Sequence, residues 1–116
     1  MKYTDSHEWI KLDASLGTVG ITRYAKDELG EIVYVQLPSV GQILKQGEEA
    51  VVLESTKAAA DIYAPVSGEV IAVNEALQRE INSSPEDAGW LFKIRLTHAS
   101  EYDALLTEQQ YHSLVQ

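Results

Sequence analysis

The sequence contains no cysteine. That excludes disulfide staples, thiol catalysis and thiolate-ligated metal, and it leaves the redox compartment open. Positive charge is scarce: nine Lys and Arg face eighteen Asp and Glu, for a formal net charge of −9. Binding free nucleic acid needs clustered positive charge, so that partner class is excluded. An anionic membrane surface is excluded for the same reason, and the expectation is no membrane partner. The longest uninterrupted apolar runs are four residues, such as Ile32-Val33-Tyr34-Val35. A membrane-spanning helix needs far more. Met1-Lys2-Tyr3-Thr4-Asp5 has no apolar leader, and a cytoplasmic location is expected.

What is present suits a packed chain. The 116 residues are 45% hydrophobic and 23% charged, a globular balance. One domain over 1–116 is expected. Folding at this length buries roughly two-thirds of the surface exposed by the unfolded chain, enough for a core without covalent staples.

Strand signals are short and frequent. Tyr3 to Leu12 reads as a strand followed by a turn at Asp13 to Gly17, and Thr18 to Ile21 as the next strand. Thr22 reads as a helix N-cap, with Tyr24 to Leu29 helical and Gly30 as the stop. Glu31 to Leu37 is apolar and β-branched until Pro38. Gln42 to Lys45, Glu49 to Ser55, Ala58 to Ala64, Glu69 to Asn74 and Trp90 to Leu96 complete the strands. Glu75 to Ala88 is polar and reads as a loop with at most a helical turn. Ser100 and Thr107 read as N-caps of two terminal helices, Glu101 to Leu106 and Glu108 to Val115. The second helix places Tyr111, Leu114 and Val115 on one face. Trp9 and Trp90 read as packing residues. Many short strands with regular turns imply a sandwich or barrel.

The central hairpin is the most informative segment. With Thr56-Lys57 as a two-residue loop, Ser55 faces Ala58, Leu53 faces Ala60 and Val51 faces Ile62. Glu54 with Ala59, Val52 with Asp61 and Ala50 with Tyr63 lie on the opposite face. A slip of one residue would destroy this alternation. Two-residue loops favour Gly, Asn or Asp, because they need positive φ. β-Branched Thr56 is poor there. Either the loop is built on a type I turn, or something other than turn stability selects these residues. The result is one long amine on a tight tip, with Glu54 and Asp61 nearby. A solvated tip lysine is the commonest meaning of such a pattern. Schiff-base chemistry needs a depressed pKa, and neighbouring carboxylates oppose that. A Ser55–Lys57 dyad has no oxyanion-hole glycine beside it. The remaining meaning is a lysine held out for another enzyme to modify.

The segment Glu54-Ser55-Thr56-Lys57-Ala58-Ala59-Ala60-Asp61-Ile62-Tyr63-Ala64-Pro65 resembles the lipoyl-attachment segment of the glycine cleavage system H protein family. The likeness continues in His7-Glu8-Trp9, Gly20-Ile21-Thr22, Leu29-Gly30-Glu31-Ile32-Val33, Pro65-Val66-Ser67-Gly68-Glu69-Val70 and Gly89-Trp90-Leu91-Phe92. The resemblance implies a mainly β fold. That fold is a flattened β-barrel or sandwich of two sheets, a barrel-sandwich hybrid of the lipoyl- and biotinyl-carrier kind, with short helices including a C-terminal pair. It implies lipoic acid joined covalently to Lys57, Glu54 and Asp61 as ligase-recognition residues, and Ser6, Glu8 and Asp61 as contacts for a folded-back arm. Against these stand blander readings: Ser6 as a turn cap and Glu8 as a solvated strand residue.

The implied function is a non-catalytic, monomeric carrier. It takes an aminomethyl group from a glycine decarboxylase to an aminomethyltransferase and is reoxidised by dihydrolipoamide dehydrogenase. A lipoate ligase or lipoyl transferase loads it. The alternative is an H-like lipoate relay that supplies lipoyl groups to other complexes. A biotin carrier is disfavoured because its lysine normally lies between methionines, whereas Lys57 lies between Thr56 and Ala58. Two departures from the family pattern stand out. Thr56 replaces a usual apolar residue, and Gln78-Arg79-Glu80 stands where about six residues are usual, a difference within ordinary loop variation.

Overall fold

Alternating apolar residues and β-branched runs make nine strands among the described residues, and their pairing sorts them into two antiparallel sheets. The computed structural model describes residues 1–75 and 77–116, apart from the side chains of Leu77, Gln78 and Arg79. The larger sheet contains β1 (Lys2–Tyr3), β2 (Glu8–Asp13), β3 (Leu16–Ile21), β5 (Ile43–Leu44), β8 (Gly68–Val73) and β9 (Phe92–Leu96). Its order is β1-β2-β3-β9-β8-β5. The smaller sheet contains β4 (Ile32–Gln36), β6 (Glu49–Ser55) and β7 (Ala59–Tyr63), in the order β4-β6-β7. Four helices accompany them among the described residues: α1 (Arg23–Leu29), α2 (Leu77–Ser83), α3 (Ala99–Asp103) and α4 (Glu108–Val115). The expected mainly β sandwich with a C-terminal helical pair is therefore present. The two sheets do not close into a full barrel. The molecule is flattened, with extents of 36 × 34 × 22 Å.

Ile10, Val19, Ile21, Leu53, Ile62, Val70, Phe92 and Ile94 form the shared core between the sheets. Each fully buried side chain of this kind contributes about 1.5–3 kcal/mol of hydrophobic stabilisation. A second cluster joins Tyr3, Trp9 and Tyr111, and so packs α4 against β1 and β2. Both tryptophans act in packing, as expected. Trp9 is buried and donates to the Pro85 carbonyl at 3.0 Å. Trp90 is half-buried beneath the Lys93 ammonium.

Several expectations need correction. The first long strand is broken by a turn over 4–7, so β1 and β2 pair with each other. The next turn is only Ala14-Ser15, because Asp13 already pairs with Leu16. The polar stretch after Asn74 contains α2, whose Ile81 is fully buried. Tertiary packing of Ile81 therefore helps to hold that helix. The backbone of Gln78-Arg79-Glu80 lies within it, and what the first two of those side chains do lies outside the described residues. Helix α3 starts after His98 with no side-chain cap, so Ser100 is not its N-cap. Leu114 is 51% exposed rather than sharing the buried face of Tyr111.

Other local signals hold. Thr22 caps α1 by accepting from the Ala25 amide. Thr107 caps α4 within a capping box completed by Gln110. At Gly68, a Cβ would collide with the Arg95 carbonyl of the neighbouring strand. Only glycine permits that approach of β8 to β9.

Candidate functional site

Two features lie on the small sheet and its surroundings: the hairpin tip that carries Lys57, and a cleft beyond the far end of β7.

The tip begins with register. Glu54 pairs with Ala59, Val52 with Asp61, Leu53 with Ala60 and Val51 with Ile62, as the alternation demands. The expected pairing of Ala50 with Tyr63 is wrong. An irregularity between Glu49 and Val51 puts Glu49 opposite Tyr63. The loop is two residues, yet neither Thr56 nor Lys57 takes positive φ. Ser55 supplies the reason. Its amide donates to the Ala58 carbonyl at 2.8 Å. Its hydroxyl oxygen accepts from the amides of Lys57 (3.1 Å) and Ala58 (3.0 Å). Ser55 thus closes the turn with its side chain. It is a turn cap, not half of a catalytic dyad. The Thr56 amide donates to the Glu31 carbonyl at 3.1 Å and ties the tip to the segment after α1.

Lys57 itself is exposed. The one ion pair among the described residues joins Arg95 and Glu69, so no carboxylate there holds the Lys57 amine. Its stem passes over Gly30, where an added Cβ would lie 3.1 Å from Lys57 Cε. Gly30 has φ 87 and ψ −154, a backbone region that is essentially restricted to glycine. Glu54 and Asp61 are both exposed on the outer face of the small sheet, beside Tyr34 and Ala59.

The cleft has a volume of about 340 Å³. Tyr3, Ala64, Pro65, Leu105 and Leu106 give it apolar walls, and Thr4, Ser6 and Glu8 give it a polar end. Glu8 is only 1% exposed, which overturns the solvated reading. Glu8 Oε1 accepts from Thr4 Oγ1 at 2.5 Å and from Ser6 Oγ at 2.7 Å. Glu8 Oε2 accepts from the Tyr63 amide at 3.4 Å. Burial pushes the carboxyl above its usual pKa, opposed by these three hydrogen bonds and reinforced by the nearby Asp5 charge. The ionised form is a buried carboxylate with donors on both oxygens, suited to a small cation.

The resemblance-derived residues thus divide. Ser6 and Glu8 come together in the cleft. Asp61 does not line it. Asp61 lies on β7 between the tip and Tyr63, and Tyr63 does line the cleft. Tyr63 is six residues beyond Lys57, roughly 20 Å along an extended strand. β7 is an edge strand, so this path lies open along one side. Sequence reasoning missed Thr4, which both caps the Glu8 amide (3.0 Å) and donates to its carboxylate. The alternation Thr4-x-Ser6-x-Glu8 is the signal that could have found it.

Between Ser6 and Glu8, His7 has φ 74. This left-handed conformation costs a non-glycine residue about 1–3 kcal/mol unless its surroundings enforce it.

The whole chain, residues 1–116, matches the family model described as "Glycine cleavage H-protein". A glycine cleavage system H protein of Alcanivorax borkumensis is 49% identical over 118 aligned residues, covering 99% of this chain and 92% of that protein. One from Thermotoga maritima is 50% identical, covering 95% and 91%. The crystal structure of a glycine cleavage system H protein from Mycobacterium marinum superposes with a TM-score of 0.88. It is 38% identical and covers 97% of this chain and 93% of that one.

Proposed function

The chain belongs to the glycine cleavage H-protein family, and from that premise we propose that Lys57 carries a lipoyl group and that the cleft holds its loaded end. The observation that carries this reading is the pairing of an exposed lysine, with no ion-pair partner among the described residues, on a side-chain-capped turn with a cleft ending in a buried carboxylate.

The residues fit the group. An exposed lysine on a rigid turn is accessible to a modifying enzyme. An amine does not form an amide with a free carboxylate unaided, so Lys57 needs activated lipoate from a ligase or lipoyl transferase. Glu54 and Asp61 flank the tip on one exposed face and are the proposed recognition points for that enzyme. When attached, a lipoyl dithiolane would supply the redox-active sulfurs that a chain without cysteine lacks.

The chain's own residues present and shelter the arm. Ser55 fixes the direction in which Lys57 leaves the sheet. Asp61 marks the route along β7. The apolar walls of the cleft take the hydrocarbon and exclude water. The Glu8 carboxylate, held by Thr4 and Ser6, would face the positive charge of the aminomethyl cargo. Ser6 Oγ orients that carboxylate and borders the same space.

The proposed partners are a glycine decarboxylase, an aminomethyltransferase and dihydrolipoamide dehydrogenase. Tethering keeps one arm at high effective concentration for each of them in turn. In this scheme the chain is a carried substrate and not a catalyst. The test is glycine-dependent loading. Lipoylated protein mixed with a glycine decarboxylase and labelled glycine should acquire label from the methylene carbon. A lipoylated protein that acquires none, yet donates its lipoyl group to another acceptor, would instead establish the relay function.

A further inference from the structure

The left-handed His7 lies between the two cleft residues Ser6 and Glu8, and something must hold it there. His7 Nδ1 is 2.9 Å from the Tyr111 hydroxyl. The Tyr111 hydroxyl is also 2.7 Å from Thr22 Oγ1. Thr22 is fully buried and already accepts from the Ala25 amide. Its own proton therefore needs an acceptor, and Tyr111 is the one that meets it among the described residues. A buried hydroxyl proton without an acceptor would be costly. The donor order that satisfies both hydroxyls runs Thr22 to Tyr111 to His7, which makes His7 Nδ1 the final acceptor and selects the Nε2–H tautomer. The backbone completes the loop, because the Thr22 amide donates to the His7 carbonyl at 3.0 Å. The Tyr111 ring itself stacks on Tyr3, centroids 4.7 Å apart and 11° from parallel.

Resting on the carrier reading above, we propose that Tyr111 is a positioning residue for the cleft. Through the His7 ring, its hydroxyl holds the turn over 4–8 in the backbone that presents Ser6 and Glu8. The C-terminal helix α4 is thereby a brace for the arm-binding end of the molecule, and α1 is tied into the same brace through its N-cap. Tyr111 touches neither the arm nor its cargo.

Tyr111→Phe tests this, because it keeps the stacked ring and removes both hydroxyl bonds. His7→Gly is the second variant. Glycine takes φ 74 without strain but has no ring to tether. The first readout uses fully lipoylated, aminomethyl-loaded protein. Exposed R–S–CH2–NH2 hydrolyses with water to R–SH, formaldehyde and ammonia, so released formaldehyde measures shelter. Both variants should lose cargo roughly five- to tenfold faster than the parent, the factor expected for about one lost hydrogen bond. The second readout uses unmodified protein and NMR. The parent should show His7 as the Nε2–H tautomer, and Tyr111→Phe should shift the Ser6, Glu8 and Tyr63 amides.

A Tyr111→Phe protein with a lowered melting temperature, parental cargo lifetime and unmoved amides would reduce Tyr111 to a packing residue and overturn the proposal. Glu8→Gln separates the two levels. If Glu8→Gln shortens the lifetime and Tyr111→Phe does not, the brace alone fails. If Glu8→Gln also leaves the lifetime unchanged, the cleft reading fails and takes the brace with it.

Discussion

Glu8 shows how far a single residue departs from its local pattern. In β2, Glu8, Trp9 and Ile10 are all buried, so the start of the strand does not alternate. The turn over 4–7 covers the carboxylate with two hydroxyls, and no sequence period reports that covering. The sign of its titration follows from burial. The folded pKa lies above 4.5, and the unfolded chain titrates near that ordinary value. In the window between the two, the folded state binds more protons than the unfolded state. Glu8 therefore subtracts stability as pH rises through that window, and the loss is complete above the folded pKa. Cation capture runs the opposite way, because only the ionised carboxylate attracts the cargo. A docked cation favours the ionised form in turn, so the raised pKa belongs to the empty cleft, and shelter of the loaded arm should fade on acidification as Glu8 takes up its proton. The cargo lifetime measured against pH, in the parent and in Glu8→Gln, checks this. The same pH dependence in Glu8→Gln as in the parent would contradict it. At the other end of β7, Ser55→Ala should cost about 1 kcal/mol in denaturant unfolding and slow lipoylation, because two amides of the turn lose their acceptor. Gly30→Ala should cost about 1–3 kcal/mol, from its strained φ and ψ. It should also crowd the lysine stem.

At the scale of elements, legibility followed the balance between local and tertiary causes. The hairpin register was readable, because Leu53, Ala60, Val51 and Ile62 must share the buried face. The irregularity at Glu49 was not, since a bulge leaves no mark in the alternation. Helix α1 announced itself through Thr22 and Gly30, and α4 through Thr107. Helix α2 did not, although its Ile81 packs into the core of other strands. Its role lies beyond packing. The Asn82 side chain accepts from the Ile32 amide at 2.8 Å and donates to the Ile32 carbonyl at 2.9 Å. It occupies the open edge of β4 as a partner strand would, which protects an edge otherwise open to aggregation. Asn82→Ala should therefore lower the unfolding free energy by about 1–3 kcal/mol, the cost of stranding buried backbone groups. It should also raise aggregation on heating, read by light scattering. Unchanged stability and scattering would show that the β4 edge needs no such cover.

For the molecule as a whole, the absences in the sequence take on a function. Without cysteine, the chain brings no sulfur nucleophile of its own, and the proposed arm brings the working sulfurs to it. The two-sheet body sets a tip and a cleft at opposite ends of one edge strand, so presentation and shelter use the same element. The net charge of −9 is a candidate long-range attraction for basic partner surfaces. Lipoylation removes one positive charge and makes it −10. Association with partner enzymes should therefore slow as ionic strength rises, as a stopped-flow salt series would show, with rates levelling off once the Debye length drops below ~10 Å.

All of this depends on Lys57 being the attachment point. Intact-mass spectrometry after co-expression with a lipoate ligase tests that most directly. The parent chain should gain one lipoyl mass, Lys57→Arg should gain none, and peptide mapping should place the adduct on the segment that contains Lys57. A parent chain that stays unmodified, or an adduct that survives Lys57→Arg, would contradict it.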